Sequence, residues 1–254
     1  MLQNIKSYII NLEKYKNKYE LCLKRLSKIN IKPERFNAVY VEDINSEEIR
    51  DKIYPSVQYT IKNKRFSHNN IGTKGAIGCY LSHITLWEML LKSNEEYFLI
   101  FEDDADINND IYNIENNINK ILNLKNWDFI FLGYHNNLLF YNSQENISKI
   151  KNIIYGTHAY LINRKGAEKL LKKALPMVDQ IDSYISFMGL ANYLNIYVTN
   201  EIFFVQNNNI STIQNDFSIR PYITEYNDNT IKFMIILLIL FNISLLYMFF
   251  KKKN

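Results

Sequence analysis

YFLIFEDDAD, residues 97–106, runs five apolar or aromatic residues straight into three consecutive carboxylates, Glu102, Asp103 and Asp104, with Asp106 two positions further on. An uninterrupted apolar run this short reads as a buried strand of a sheet covered on both faces. In open α/β sheets, ligands collect at the carboxyl ends of the strands, and these acids fall at such an end. Like charges so close together repel, and no basic residue lies within the stretch to offset them. Two readings meet this: a divalent cation bound by hard oxygen ligands, or an acidic loop turned toward water.

Outward from that strand, segments of both periods alternate along the chain. IKSYIIN (5–11) reads as a strand, followed by a helical pattern over 14–28 with Tyr15, Tyr19, Cys22, Leu23 and Leu26 on one face. FNAVYV (36–41) predicts a second strand, and the polar residues 42–70 a loop with one short helix. Thr73 is a candidate N-cap for a helix running to about residue 92. A helix near 113–123, strands at 127–133 and 156–163, and an amphipathic helix stopped by Pro176 come next. A helix from residue 181 carries Asp182 in its first turn, and 195–199 and 201–206 are late strands. This alternation predicts an α/β fold with a mainly parallel sheet flanked by helices.

Composition narrows the function classes. With 47% hydrophobic and 22% charged residues, the 254-residue chain is globular rather than disordered. The formal charge of +4 comes from Lys232, Lys251, Lys252 and Lys253, since removing those four from 30 basic residues leaves 26, equal to the 26 acidic ones. A neutral remainder lacks the clustered basic surplus of a nucleic-acid footprint. Cys22 and Cys79 read as buried free thiols, a single bridge between them being the alternative. The first twenty residues lack the apolar run of a secretory leader. FMIILLILFNISLLYMFF (233–250) has eighteen uncharged residues, about 27 Å of helix, followed by KKKN. The expected organisation is a domain over 1–220, a linker at 221–231, a membrane-spanning helix at 232–250 and a basic tail at 251–254. A helix so placed would act as a tail anchor with the domain on the cytosolic side.

Several motifs occur in a set order: IINL (9–12), ERFNAV (34–39), KGAIGCYLSHITLW (74–87), FEDDA (101–105), GTHAYLINRKGAEKLL (156–171) and IDSYI (181–185). Together they resemble glycosyltransferase family 25, over roughly residues 5–215. The resemblance implies a GT-A type, Rossmann-like fold, a nucleotide-sugar donor (most often UDP-galactose), Mn²⁺ or Mg²⁺ on the acidic motif, and inversion at the anomeric carbon. It assigns Glu102, Asp103 and Asp104 to the metal and diphosphate, Asp104 foremost, and leaves Asp106 outside the pattern. Asn11 and Leu12 would lie near the nucleotide, although Glu13 and Lys14 stand where many relatives carry an Asp-Arg type pair. Ser82 and His83 would line the donor pocket.

An inverting transfer needs a base for the acceptor hydroxyl. Asp182 matches the family's downstream Asp, Asp179 is its rival, and an ordinary helix cap is the competing explanation for Asp182. His158 is either a further metal ligand, a sugar contact or a core histidine. Cys79 and His83, four apart on one helical face, could form a nucleophilic pair or merely pack near the donor. Gln206 and Ser211 resemble a closing segment that would contact donor or acceptor, while Trp87 and Trp127 are core aromatics or sugar platforms. The expected acceptor is a glycan, lipid-linked sugar or protein hydroxyl at a membrane. The other class open to the sequence is a degenerate, anchored adaptor that binds sugar or nucleotide, and the intact EDD is the feature that separates the two.

Overall fold

A computed structural model of the chain describes residues 4–108, 113–135 and 147–207, all within the first of two units, Met1–Ser218. The expected linker, membrane helix and basic tail, and Ser211 with them, lie outside the described residues. Among the described residues no helix is long and apolar enough to cross a membrane.

The apolar run forms strand β3 (Tyr97–Glu102), and its period-2 alternation feeds two separate cores. Phe98 and Ile100 join one cluster, with Ile77, Leu86 and Trp87 of a long helix. Leu99 and Phe101 join the other, with Cys22 and Leu26 of α1 (Lys16–Leu26) and Ile118 of α5 (Ile114–Leu122). β1 (Ser7–Asn11) divides the same way, Tyr8 and Ile10 to the first cluster and Ile9 to the second. The sheet thus has helices on both faces, as its unbroken apolar strands require.

The main strand order is β2-β1-β3-β7-β5-β8-β6, with β2 at Glu34–Asn37, β5 at Phe129–His135, β6 at Ile147–Lys149, β7 at Tyr155–Asn163 and β8 at Ile196–Thr199. β9 (Phe204–Gln206) adds to β5 and pairs with β4 (Ala105–Ile107). Parallel pairings link β2, β1 and β3 on one side and β5, β8 and β9 on the other. β7 lies between these groups, antiparallel to both β3 and β5. The described strands therefore run mainly one way, with β7, β6 and β4 reversed.

Some boundaries differ from the sequence reading. β2 starts and ends earlier than 36–41, because its partner β1 gives out at the Asn11↔Asn37 pair. The chain from Ala38 leaves the sheet, and Val39 N–H instead donates to Ser82 Oγ at 2.8 Å. Residues 42–70 hold two helices, α2 (Glu47–Arg50) and α3 (Pro55–Asn63), the latter opened by a proline at its first position. β4 and β6 have three residues each, too few for alternation to register.

α4 (Lys74–Lys92) begins where the cap predicts: Thr73 Oγ1 accepts from Ala76 N–H at 3.1 Å. Its first two turns pass so close to residues 38–41 that a Cβ on Gly78 would sit 2.4 Å from the Val39 carbonyl oxygen. Backbone on both sides leaves no flexible atom to yield. Gly78→Ala should therefore destabilise the fold by about 1–3 kcal/mol in urea denaturation, although alanine favours helix. A neutral or stabilising result would mean that α4 and residues 38–41 are not in contact.

Candidate functional site

β1 and β3 are parallel neighbours in register, Ile10 opposite Glu102, so Asn11 arrives beside the acidic run. Each of the three carboxylates has one oxygen held by a side chain from a different strand. Glu102 Oε1 accepts from Thr157 Oγ1 of β7 at 2.6 Å, Asp103 Oδ2 from Asn11 Nδ2 of β1 at 2.6 Å, and Asp104 Oδ2 from Gln206 Nε2 of β9 at 2.6 Å. Asp104 Oδ1 is buried with no hydrogen-bond partner. Asn11 is itself braced by Arg35 Nε at 2.9 Å, and Arg35 pairs with Glu13 at 2.6 Å. The Glu13–Lys14 departure thus gives Glu13 a structural task.

A cavity of about 380 Å³ opens at this strand end. Glu102, Asp103, Asn11 and Leu12 line it together with Cys79 and the cations Lys14, Lys18 and Lys74. Lys14 Nζ lies 4.7 Å from the Tyr40 ring centroid and 5.1 Å from that of Tyr15, within cation–π range. Sequence reasoning noted Lys14 only as a departure from the family pair and missed Lys18 and Lys74; the local signal for Lys18 is its four-residue spacing from Lys14.

The remaining expected site residues fall in distinct places. Ser82 is fully buried and bonds Gly78 and Val39, so it shapes the cavity wall from behind. His83 is also fully buried; its Nδ1 lies 2.8 Å from the Tyr160 hydroxyl and its Nε2 3.6 Å from Glu102 Oε1. Trp87 is core, and its indole N–H donates to the same Tyr160 hydroxyl at 3.0 Å. Trp127 packs against Tyr97. Asp106 faces Arg25 and Asn207, away from the cavity lining.

Asp182 lies in the first turn of α7 (Ile181–Leu190), but the N-cap position is Gln180, so Asp182 is not the cap. Its Oδ2 accepts from Gly156 N–H at 2.9 Å and its Oδ1 from Ser183 N–H at 2.6 Å. Asp179 accepts from Asn70 at 3.4 Å. Neither aspartate lines the cavity at β3. His158 approaches the Phe204 carbonyl through Nε2 at 3.0 Å, which puts its proton there and leaves a buried, unpartnered Nδ1. Ligand atoms of Cys79, His83 and Glu102 gather within 4.8 Å of one another, a grouping with the composition of a metal site that Glu102, Asp103 and Asp104 do not form among the described residues.

Comparison with known proteins agrees with these motifs. A family model described as "Glycosyltransferase family 25 (LPS biosynthesis protein)" matches residues 4–185. The Aedes aegypti "Glycosyltransferase 25 family member" is 28% identical over 198 residues, which is 71% of this chain and 30% of that protein. "Procollagen galactosyltransferase 1-A" of Xenopus laevis is 27% identical over 195 residues, again 71% of this chain and 30% of its own length. The chain thus spans 30% of the length of these curated relatives. Among solved structures, a glycosyltransferase involved in the glycosylation of the major capsid of PBCV-1 aligns over 82% of this chain and 94% of that one, at 10% identity and a TM-score of 0.43.

The electrostatics of the cluster follow from burial and from who faces whom. Burial raises the Asp104 carboxyl, Glu102 adds repulsion, and Gln206 offsets only part, leaving its pKa at about 7. Burial likewise raises Asp103, against the Asn11 bond. For Glu102, burial pushes upward too, but His83 and then Thr157 outweigh it and hold the carboxyl below its usual range. Burial pushes the Cys79 thiol well up, with Glu102 adding to it, so no thiolate nucleophile forms there. His158, desolvated, is lowered to about 4 and stays neutral.

Asp104 therefore binds its proton more tightly when folded than when unfolded, and its contribution to stability is lost as pH rises from about 4 to about 7. Asp104→Asn keeps an acceptor for Gln206 and removes that loss. In urea denaturation without metal, the variant should match the parent near pH 4 and exceed it at pH 8, on the order of 4 kcal/mol. An equal difference at both pH values would show the carboxyl to be unperturbed.

Proposed function

Since the chain belongs to glycosyltransferase family 25, we propose that it moves a hexose, galactose foremost, from a UDP-sugar to an acceptor hydroxyl with inversion at the anomeric carbon. The observation that carries this reading is the cavity at β3, which presents Glu102 and Asp103 together with Lys14, Lys18 and Lys74. A diphosphate needs cations, a sugar needs acceptors for its hydroxyls, and this site offers both. Its volume of about 380 Å³ suits a small ligand with part of its length in solvent. The galactosyltransferase named among the relatives supports the choice of sugar.

The family implies a divalent cation, Mn²⁺ or Mg²⁺. Asp104 Oδ1 is a buried oxygen without a partner, and all three acids have their other oxygen anchored by a protein donor. The three side chains do not converge on one point, the ligand-atom grouping within 4.8 Å among the described residues being that of Cys79, His83 and Glu102. Asp104 would hold the ion foremost, and a bound ion would supply Lewis-acid stabilisation of the charge on the departing diphosphate. His158 stays a candidate further ligand through its unpartnered Nδ1, since its Nε2 hydrogen goes to the Phe204 carbonyl.

The chain's own groups do the rest. Lys14, Lys18 and Lys74 offset phosphate charge, and Tyr40 and Tyr15 offer faces to the nucleobase. Asp182 is the base: the acceptor hydroxyl proton passes to its carboxylate as the hydroxyl oxygen bonds to the anomeric carbon. The bond from that carbon to the diphosphate breaks, and the electron pair leaves with UDP. Asp182 does not line the cavity at β3, but burial raises it above its ordinary value, which suits a base. Gly156 and Ser183 fix its orientation. Asp179, tied to Asn70, serves the loop instead. The uncharged run at 233–250 supports an acceptor held at a membrane, whether glycan, lipid-linked sugar or protein.

The full chain incubated with Mn²⁺ and a panel of UDP-hexoses should release UDP with at least one donor, read by mass. Asp182→Asn should lower kcat by about 10²–10⁴-fold while donor binding persists. Asp104→Asn should abolish the Mn²⁺-dependent turnover. Absence of UDP release with every donor, from protein shown to be folded, would replace this reading with that of an anchored binding adaptor.

A further inference from the structure

We propose that Trp87, Tyr160 and His83 form a proton-ordered chain whose last hydrogen, on His83 Nε2, positions Glu102 for its ligand. The proposal rests on the reading of the β3 strand end as the transfer site. It goes beyond that reading by giving a task to three fully buried side chains that are not themselves part of the cavity lining.

The order of the protons follows from counting hydrogens. An indole can only donate, so at 3.0 Å Trp87 Nε1–H makes the Tyr160 oxygen an acceptor. The phenol has one hydrogen of its own, and the acceptor within reach among the described residues is His83 Nδ1, at 2.8 Å. Burial drives the Tyr160 pKa well up, so that hydrogen stays on the phenol and is available to donate. Because the phenol hydrogen needs Nδ1 as its acceptor, the ring hydrogen is on Nε2. The opposite tautomer would leave the phenol hydrogen buried without an acceptor and turn a lone pair toward a carboxylate.

The rigidity of the chain comes from three elements. Trp87 and His83 are four apart on α4, hence on one face. Tyr160 sits in β7 opposite Ile100 of β3, and its ring stacks on Phe129 at 4.5 Å and 17°. Thr157, three residues earlier in β7, donates to the same Glu102 oxygen that His83 faces. Both contacts fall on Oε1, which leaves Oε2 for a ligand. The His83 contact, at 3.6 Å, is longer than a hydrogen bond, and Nε2 is buried with no other partner.

In this tautomer the His83 nitrogen that faces Glu102 carries a hydrogen rather than a lone pair. Trp87, Tyr160 and His83 are positioning residues, acting through Glu102.

The test uses the full chain labelled with ¹⁵N-histidine. Ring-nitrogen shifts of His83 should report the Nε2–H tautomer in the parent, and Tyr160→Phe should abolish or mix it. In kinetics, Tyr160→Phe should lower kcat about 10-fold or more with little change in donor KM. His83→Gln, whose amide nitrogen can reach the Nε2 position, should retain more kcat than His83→Asn, whose amide mimics Nδ1. An Nδ1–H tautomer in the parent, or equal losses in the two His83 variants, overturns the proposal. A parent that shows no turnover defeats the transferase reading instead, and the ring shifts still decide the proton order.

Discussion

Consecutive carboxylates at the end of a buried strand repel one another, and desolvation raises the cost of ionising each. In this chain the repulsion is contained by donors brought from elsewhere: Thr157 for Glu102, Asn11 for Asp103, Gln206 for Asp104. Much of the sheet topology can be understood from that need. β1 and β7 are the two neighbours of β3, and β9 reaches the same end through its pairing with β4. Because β7 runs against β3, its first residues lie beside the last residues of β3, so Thr157 meets Glu102 and Gly156 meets Asp182. A parallel β7 would carry those groups to the far end of the sheet. The reversed strand is what completes the site.

Helix α4 serves the site on several sides at once. Toward residues 38–41 it presents Gly78, for close approach, and Ser82, for the Val39 N–H. Toward the sheet it presents His83 and Trp87, which meet over the Tyr160 hydroxyl. Cys79 reaches the cavity itself. The glycine, cysteine, serine and histidine of GCYLSH thus have four separate physical tasks, none of them nucleophilic.

Much of this was legible in the sequence because it is local. The apolar run into EDD marked β3 and its outlet and the Thr73 cap marked the start of α4, while Asn11 was tied to the nucleotide only through the family resemblance. What was not legible depends on long-range pairing. Nothing in GTHAYL marks β7 as antiparallel, and Tyr160 and Trp87 each look like ordinary core aromatics until the strand lies under the helix. Lys74 and Tyr40 are unremarkable alone and become cavity wall only when α4 closes on residues 38–41. The early exit of β2 was hidden because FNAVYV carries the composition of a strand throughout, while the ladder available to it ended with Asn11.

That early exit bears on substitution at the cavity rim. Val41 points into the core and Val39 packs against it, whereas Tyr40 between them is 64% exposed and faces the cavity. The stretch owes no hydrogen bond of a sheet ladder to its outward side chain, and its inner side chains carry its anchoring. A substitution at position 40 therefore disturbs its ring contact with Lys14 and no core packing, while the acids opposite are bound into three strands. The rim of the cavity can change and leave its charged floor untouched.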